Sequence, residues 1–367
     1  MNNILNTLIN NKKDLSFRPR VFDLNSDHDA STLSSLLDQK LITEAHDELM
    51  SQLMELMKIR NASKKFNNEE LAKMAEVHLK GRPKHLYGLW VYYPWSKRLV
   101  HIVGKEEFIE LRTSRNIYKI SPEERTTLLN KKIGIIGLSV GQSIALTMAM
   151  ERTCGELRLA DFDSLELTNM NRIRTGVHYL GLPKVIIAAR EISEIDPFIE
   201  VKIFSDGLTE ENIDRFFTEG GNLDLLVEEC DGLDIKILSR IKAKALRIPV
   251  IMDTNDRGML DVERFDIEPD RPLLHGLIPP IEDLSTIRDL TNQEKLPLLN
   301  AMVGFDKVSD RMKMSLAEMG KSITTWPQLA SSVILGGAMV TDTARRVLLN
   351  QYKSSGRYYV DFEEIIN

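Results

Sequence analysis

Lys131-Lys132-Ile133-Gly134-Ile135-Ile136-Gly137-Leu138-Ser139-Val140-Gly141 is the stretch that decides how this chain folds. An unbroken apolar run before a glycine turn reads as a strand buried on both faces, here 131–137. The residues after Gly141 read as a helix, 141–152. At such a junction backbone N–H groups face an anion at the helix N-terminus. Gly137 and Gly141, with Ser139 in a glycine position, are therefore read as nucleotide-binding. The loop is one residue shorter than G-x-G-x-x-G, and the same residues also suit a tight strand–helix turn without a ligand.

Downstream, the alternation continues. Strand 156–161 precedes a loop and helix 183–195. Strand 199–204 precedes helix 209–219, strand 223–230 precedes helix 233–247, and strand 249–253 ends at Asp253. Strands alternating with helices imply a mostly parallel sheet with right-handed crossovers. The expected class is α/β, a Rossmann-like doubly wound sheet. Residues 260–275 allow further strands, 279–322 read as an irregular crossover with helices, and Trp326-Pro327 opens a helix over about 327–350. Gly336-Gly337 inside it permits close backbone approach.

Upstream, the pattern differs. Residues 41–60 show helical spacing, and Asn67-Asn68-Glu69-Glu70 opens another helix to about Leu79. Two β-prone runs, 87–93 and 98–103, flank a Pro94-Trp95-Ser96 turn and read as a hairpin. The expected organisation is an N-terminal α+β extension, 1–108, followed by a domain over 109–367. That domain has its core at 131–270, with a crossover and C-terminal helix at 271–367.

Composition sets outer bounds. The 367 residues are 43% hydrophobic and 28% charged, with net charge −6, which gives no global attraction to nucleic acid or anionic membrane. No apolar run reaches about 18 residues, and the first residues lack the apolar core of a secretory signal, so the expectation is cytoplasmic with no membrane partner. The two cysteines, Cys154 and Cys230, exclude a disulfide framework and a four-cysteine zinc site.

The polar residues after the glycine turn narrow the chemistry. Asp161, at the end of the second strand, stands where a carboxylate accepts from ribose hydroxyls. An NAD-dependent dehydrogenase and an ATP-using enzyme both place an acid there. Arg172 and Lys184 add two cations beside the same nucleotide, which suits a triphosphate. Asp231, at the end of a later strand, suits Mg²⁺.

These elements together resemble the ThiF/MoeB/HesA-type adenylyltransferases, relatives of ubiquitin-activating enzymes. The likeness spans about residues 110–270, with a looser match in the C-terminal helix. Asp161-Phe162-Asp163 matches the family's D-x-D, Thr168-Asn169-Met170-Asn171-Arg172 its S-N-x-x-R, Pro183-Lys184 its lysine element and Glu229-Cys230-Asp231 its strand-end acid. Arg112-Thr113-Ser114-Arg115-Asn116 resembles its R-Y-x-R-Q. The resemblance implies ATP and Mg²⁺ as cofactors. Asp161 would hold the ribose, Asp163 would also be cofactor-binding, Asn169, Arg172 and Lys184 would bind the phosphates, and Asp231 would hold Mg²⁺. Arg115 would be an arginine finger reaching the partner subunit of a homodimer. The implied reaction is attack of a substrate carboxylate on the α-phosphorus, giving an acyl-adenylate and pyrophosphate. The carboxylate would be the C-terminus of a small carrier protein or peptide, or part of a modified nucleoside, as in a tRNA.

Three departures stand out. The glycine loop is compressed, Ile173 replaces a glutamine, and the C-x-x-C pairs that hold zinc are absent, so zinc is not expected. No cysteine follows Cys230, so adenylation without a covalent thioester on this chain is expected. An NAD-dependent oxidoreductase accounts for Gly137, Gly141 and Asp161 but not for Arg172, Lys184 and Asp231. An inactive nucleotide-binding scaffold is the third reading. Asp256 or Arg257, past the fifth strand, is expected near the substrate, and His275 is expected to pack or cap.

Overall fold

The computed structural model describes residues 13–280 and 290–366. The readings of the first residues and of 281–289 within the crossover lie outside them. The chain forms two compact units. One takes the described residues up to Pro122 with Ser193–Phe198, the other Glu123–Ile192 and the described residues from Ile199.

The first unit has a four-stranded sheet of β1 (Arg20–Phe22), β2 (Glu44–Asp47), β3 (Leu89–Tyr93) and β4 (Arg98–Ile102), in the order β1-β3-β4-β2. β3 and β4 form the expected hairpin, pairing Leu89 with Ile102 and Tyr93 with Arg98. The helix Asn68–His78 starts at a capping box. Asn67 Oδ1 accepts from Glu70 N at 2.9 Å, and Glu70 Oε2 accepts from Asn67 N at 2.8 Å. Leu49, Leu53 and Leu56 from the helix Leu49–Arg60 pack with Ala75, Leu79 and Val103.

The helix expected over 41–60 needs correcting, because only Leu49–Arg60 is helical. Glu44–Asp47 is instead an exposed strand, parallel to β4. Its apolar spacing is absent, and its tether is Asp47, whose Oδ1 lies 2.9 Å from Nδ1 of the buried His101.

The second unit has a seven-stranded sheet, ordered β11-β10-β9-β8-β5-β6-β7. Its strands are β5 (Lys132–Ile136), β6 (Glu156–Ala160), β7 (Glu200–Phe204), β8 (Leu225–Glu228), β9 (Val250–Thr254), β10 (Met259–Glu263) and β11 (Gly356–Tyr359). β5 to β9 are mutually parallel, whereas β10 is antiparallel to both of its neighbours. Ile133, Ile135, Leu157, Leu159, Leu225, Val227 and Ile251 are each 0% exposed, as a sheet covered on both faces requires. The fold is the expected Rossmann-like α/β class.

The chain runs outward from β5 through β6 to β7, then returns to β8 on the other side of β5. The switch point therefore lies between β5 and β8, and the glycine turn and Glu229-Cys230-Asp231 both open there. In open α/β sheets the ligand crevice forms at such a point.

Two helices start later than expected. The helix read over 209–219 is only Ile213–Thr218, preceded by a turn in which Thr209 and Asn212 bond each other's backbone N–H groups, at 2.9 and 3.3 Å. The long C-terminal helix is Ala330–Leu348. Its Gly336 and Gly337 face Asp253 and Ser143, where a Cβ on Gly337 would come within 2.6 Å of Ser143 Oγ.

Candidate active site

The glycine turn is held by one carboxylate. Gly137 has φ +84°, and a Cβ there would lie 2.6 Å from the Glu229 carbonyl oxygen, so the position demands glycine. The next residue, Leu138, donates its N–H to Asp161 Oδ2 at 2.6 Å. Asp163 N–H donates to Asp161 Oδ1 at 2.8 Å. Asp161 thus ties the end of β6 to the turn after β5. Burial raises its carboxyl, while Lys184 and the two backbone donors pull the other way. Gly141 begins the helix Gly141–Glu151, whose N-terminus faces the same rim.

Two cations border this turn. Lys184 opens the helix Lys184–Ile195 and is only 6% exposed, with Nζ 2.7 Å from Asp163 Oδ2. Arg172 is half-buried. Its Nε–H donates to Ser139 Oγ at 3.0 Å, and its Nη1 donates to Asn171 Oδ1 at 2.9 Å. Burial lowers its affinity for its proton, and the charge of Asp231 opposes that. Asn169 lies in the 3-10 turn Leu167–Asn171, where its Oδ1 accepts from Glu166 N at 3.0 Å. Ile173, in place of the expected glutamine, is buried at 4% exposure.

A run of acids closes β8 and continues past it. The carboxylate of Glu228, 0% exposed, meets Lys236 Nζ at 2.9 and 2.8 Å and is also bonded by Arg240. Burial alone would raise it, but Lys236 and Arg240 bring it down to about 2. Cys230 is the reverse case, since burial and then Glu228 push its thiol well up. A protonated thiol is a poor nucleophile. Asp231 is exposed and makes no side-chain hydrogen bond among the described residues. Its surroundings raise its carboxyl by desolvation, against the pull of Lys236, Lys184 and Arg172.

Sequence reasoning missed Lys236, Arg240 and the meeting of Glu229 with Asp253. Glu229 Oε1 accepts from Asp253 N at 2.9 Å. Both acids stand at the ends of neighbouring parallel strands, and that placement is the signal that was available. Lys236 and Arg240, one helical turn apart, were hidden among the other charges of the helix Leu233–Ala245.

Arg115 lies in the first unit, in the 3-10 turn Ser114–Asn116, exposed and without an ion pair among the described residues. Asp256 accepts from Ser309 N and Oγ, at 2.8 and 2.6 Å, and Arg257 pairs with Asp361 at 2.6 Å and with Glu364. Both border a groove of about 680 Å³ beyond β9, walled by Met312, Leu335 and Phe362. His275, expected to pack or cap, is engaged at both ring nitrogens. Its Nε2 meets Asp261 Oδ1 at 2.9 Å, and its Nδ1 meets Arg271 Nη2 at 2.7 Å. Among the described residues, no three His, Cys, Asp or Glu side chains gather as a metal-holding group, and no helix is long and apolar enough to cross a membrane.

Arg172 and Lys184 thus flank a glycine turn at the switch point of a doubly wound α/β sheet. The model of the ThiF family matches residues 113–338, and the chain belongs to that family. The protein MT1398 of Mycobacterium tuberculosis is 43% identical over 272 residues, 74% of this chain and 38% of that protein. The chain thus spans well under half of that relative's length. The tRNA threonylcarbamoyladenosine dehydratase of Bacillus subtilis is 24% identical over 249 residues, 65% of this chain and 97% of that enzyme. Among solved structures, Escherichia coli MccB with MccA-N7isoAsn overlays with a TM-score of 0.49 at 13% identity, covering 86% of this chain and 89% of that one.

Proposed function

We propose that this chain is an ATP-dependent adenylyltransferase that activates a carboxylate. The observation that carries the reading is the Arg172–Ser139 bond beside the Lys184–Asp163 pair. It holds two cations at the mouth of a glycine turn whose backbone is fixed by Asp161. A dinucleotide's pyrophosphate is served by helix dipole and backbone alone. Two added cations fit a triphosphate, whose charge must be offset as the reaction proceeds.

In this reading Asp161, whose oxygens keep lone pairs beyond their backbone bonds, takes the ribose. Asp163 releases Lys184 to the phosphates, and Arg172 and Asn169 bind beside it. A substrate carboxylate oxygen attacks the α-phosphorus, the bond from that phosphorus to the bridging oxygen breaks, and pyrophosphate leaves with the electron pair. The acyl-adenylate forms without a protein nucleophile, in keeping with the raised Cys230 thiol. The Asp231 carboxylate, with no side-chain hydrogen bond among the described residues, fits Mg²⁺, which keeps most of its shell as water and phosphate oxygens. When bound, Mg²⁺ would neutralise charge on the leaving pyrophosphate. Arg115 would act across a homodimer as the finger on the phosphate chain.

Residues 1–108 are proposed to select the substrate and 109–367 to perform the chemistry. The matched relatives act, by their names, on a tRNA nucleoside or on ubiquitin-like modifiers. A small carrier protein or peptide C-terminus is the substrate we favour here, because the net charge of −6 offers tRNA no general attraction. We assign the approach of such a tail to the groove bordered by Asp256 and Arg257. The test is isotope exchange between ATP and pyrophosphate with the purified protein and candidate carboxylates. Exchange supports the reading. Tight NADH binding with no exchange supports an oxidoreductase instead, and triphosphate binding without exchange supports a scaffold.

A further inference from the structure

Ser139 stands where the nucleotide-binding turn ordinarily has glycine, a position left bare so that the backbone can approach a pyrophosphate. A side chain there needs a place to go, and the structure supplies one. Its Oγ accepts the Nε–H of Arg172 at 3.0 Å, across the mouth of the turn. A serine hydroxyl has one donor and two acceptor lone pairs. Arg172 occupies one lone pair, and no described group accepts the hydroxyl proton. Ser139 is half-buried, two residues ahead of the first residue of the helix Gly141–Glu151. That N-terminus carries a partial positive charge and favours an anion. Arg172 is itself braced on its far side by Asn171 Oδ1 at 2.9 Å, so its guanidinium is held from two directions.

Resting on the adenylation reading above, we propose that Ser139 is a phosphate-binding residue in its own right. Its hydroxyl receives the Arg172 proton donor, donates its own hydrogen to a nucleotide phosphate oxygen, and keeps the guanidinium facing the same anion. A hydroxyl that accepts from a cation is polarised into a better donor. The shortened loop thereby replaces a lost backbone donor with a side-chain donor linked to a charge. The ligand is a nucleoside polyphosphate and not a nucleoside, because the arrangement addresses only the phosphate chain.

The test is calorimetric binding of adenosine, ADP and a non-hydrolysable ATP analogue to the full chain, in the wild type and in Ser139→Ala, Ser139→Gly and Ser139→Thr. A hydrogen bond to a charged group is worth about tenfold or more in affinity. The Ala and Gly variants should lose about tenfold for the analogue and keep adenosine binding. Ser139→Thr, which retains the hydroxyl, should recover most of the loss. Ser139→Ala combined with Arg172→Ala should weaken the analogue by less than the product of the two single effects.

Tighter analogue binding in Ser139→Gly would mean the position serves backbone approach, and the inference falls. Equal losses for adenosine and the analogue would mark a structural role and overturn it too. Multiplicative effects of Ser139 and Arg172 would remove the link between them. A wild type with no affinity for the analogue overturns the inference together with the adenylation reading. Analogue binding that depends on Ser139, without pyrophosphate exchange, sinks the adenylation reading alone.

Discussion

The backbone N–H of Asp253 donates to the Glu229 carboxyl at 2.9 Å, while both oxygens of the Asp253 carboxyl, 5% exposed, lack a conventional hydrogen-bond partner among the described residues. The buried Asp253 and the half-buried Glu229 meet at the ends of β9 and β8, and only a proton on one of them lets the pair bond. Burial pushes both upward, Glu229 well above its ordinary range and Asp253 to about 7.

This pair gives a pH prediction. Unfolded, Asp253 titrates near its ordinary value of 3.8, so between that and about 7 the native state holds a proton that the unfolded chain has released. Native stability then falls as pH rises, with nothing lost below the unfolded value and the full cost reached above 7. That cost is on the order of 4 kcal/mol. Asp253→Asn, which supplies a donor at every pH, should flatten the decline. Urea unfolding midpoints from pH 5 to pH 8 check it, and parallel slopes for wild type and variant would rule out the raised Asp253 carboxyl.

Gly336 bears on the same group. A Cβ there would overlap the Asp253 carboxylate, although alanine is the better helix former by about 1 kcal/mol. Overpacking costs about 1–3 kcal/mol, so Gly336→Ala should be neutral to destabilising by roughly 2 kcal/mol. Adding Asp253→Ala should restore what was lost. Thermal melts of the single and double variants decide, and a stabilised Gly336→Ala would show that the approach is loose.

Arg240 lies at 0% exposure between Glu228 and Glu263, with its Nε 2.7 Å from Glu263 Oε2. Removing one member of a buried ion pair strands the rest, and costs about 3–5 kcal/mol. Arg240→Leu should lower the unfolding free energy by about that amount at neutral pH. A loss under about 1 kcal/mol in denaturant titration would mean that Lys236 alone satisfies Glu228.

The proposed finger is testable by mixing. Arg115→Ala should leave ATP affinity largely intact and lower turnover about 10²-fold or more. Asp231→Ala should abolish Mg²⁺-dependent turnover. Each alone should be weak, yet mixed dimers contain one site with both residues and should regain part of the activity. Absence of any recovery on mixing, with dimers present by sedimentation, would place Arg115 outside the partner's site.

The parallel core was legible because β5 to β9 are continuous apolar runs, and burial on both faces leaves no competing periodicity. The tight approach at Gly336-Gly337 was equally open to reading, since a glycine pair inside a helix has few other uses. β2 was not legible. Its four residues carry no apolar alternation and gain their pairing from a distant strand, so the helical spacing that starts at Leu49 was extended back across them. β11 is short and pairs only through β10, so no local signal marks it. For the site, the strand-end acids and loop cations appeared as residue types in order, and Asp161 and Lys184 do border the glycine turn. What sequence did not disclose was who bonds whom. Asp161 bonds to Leu138 and Asp163, Asn169 braces its own turn, and Arg172 leans on Ser139. These pairings depend on angles that spacing does not encode.

Because Lys184 is already matched by Asp163, an anion entering the cleft must compete for a partner that is taken. A singly charged ion gains little by displacing a carboxylate of equal charge. An ion of several charges gains a great deal more. Selectivity for highly charged guests is in this way set before any guest arrives, by a neighbour that steps aside only for something stronger than itself.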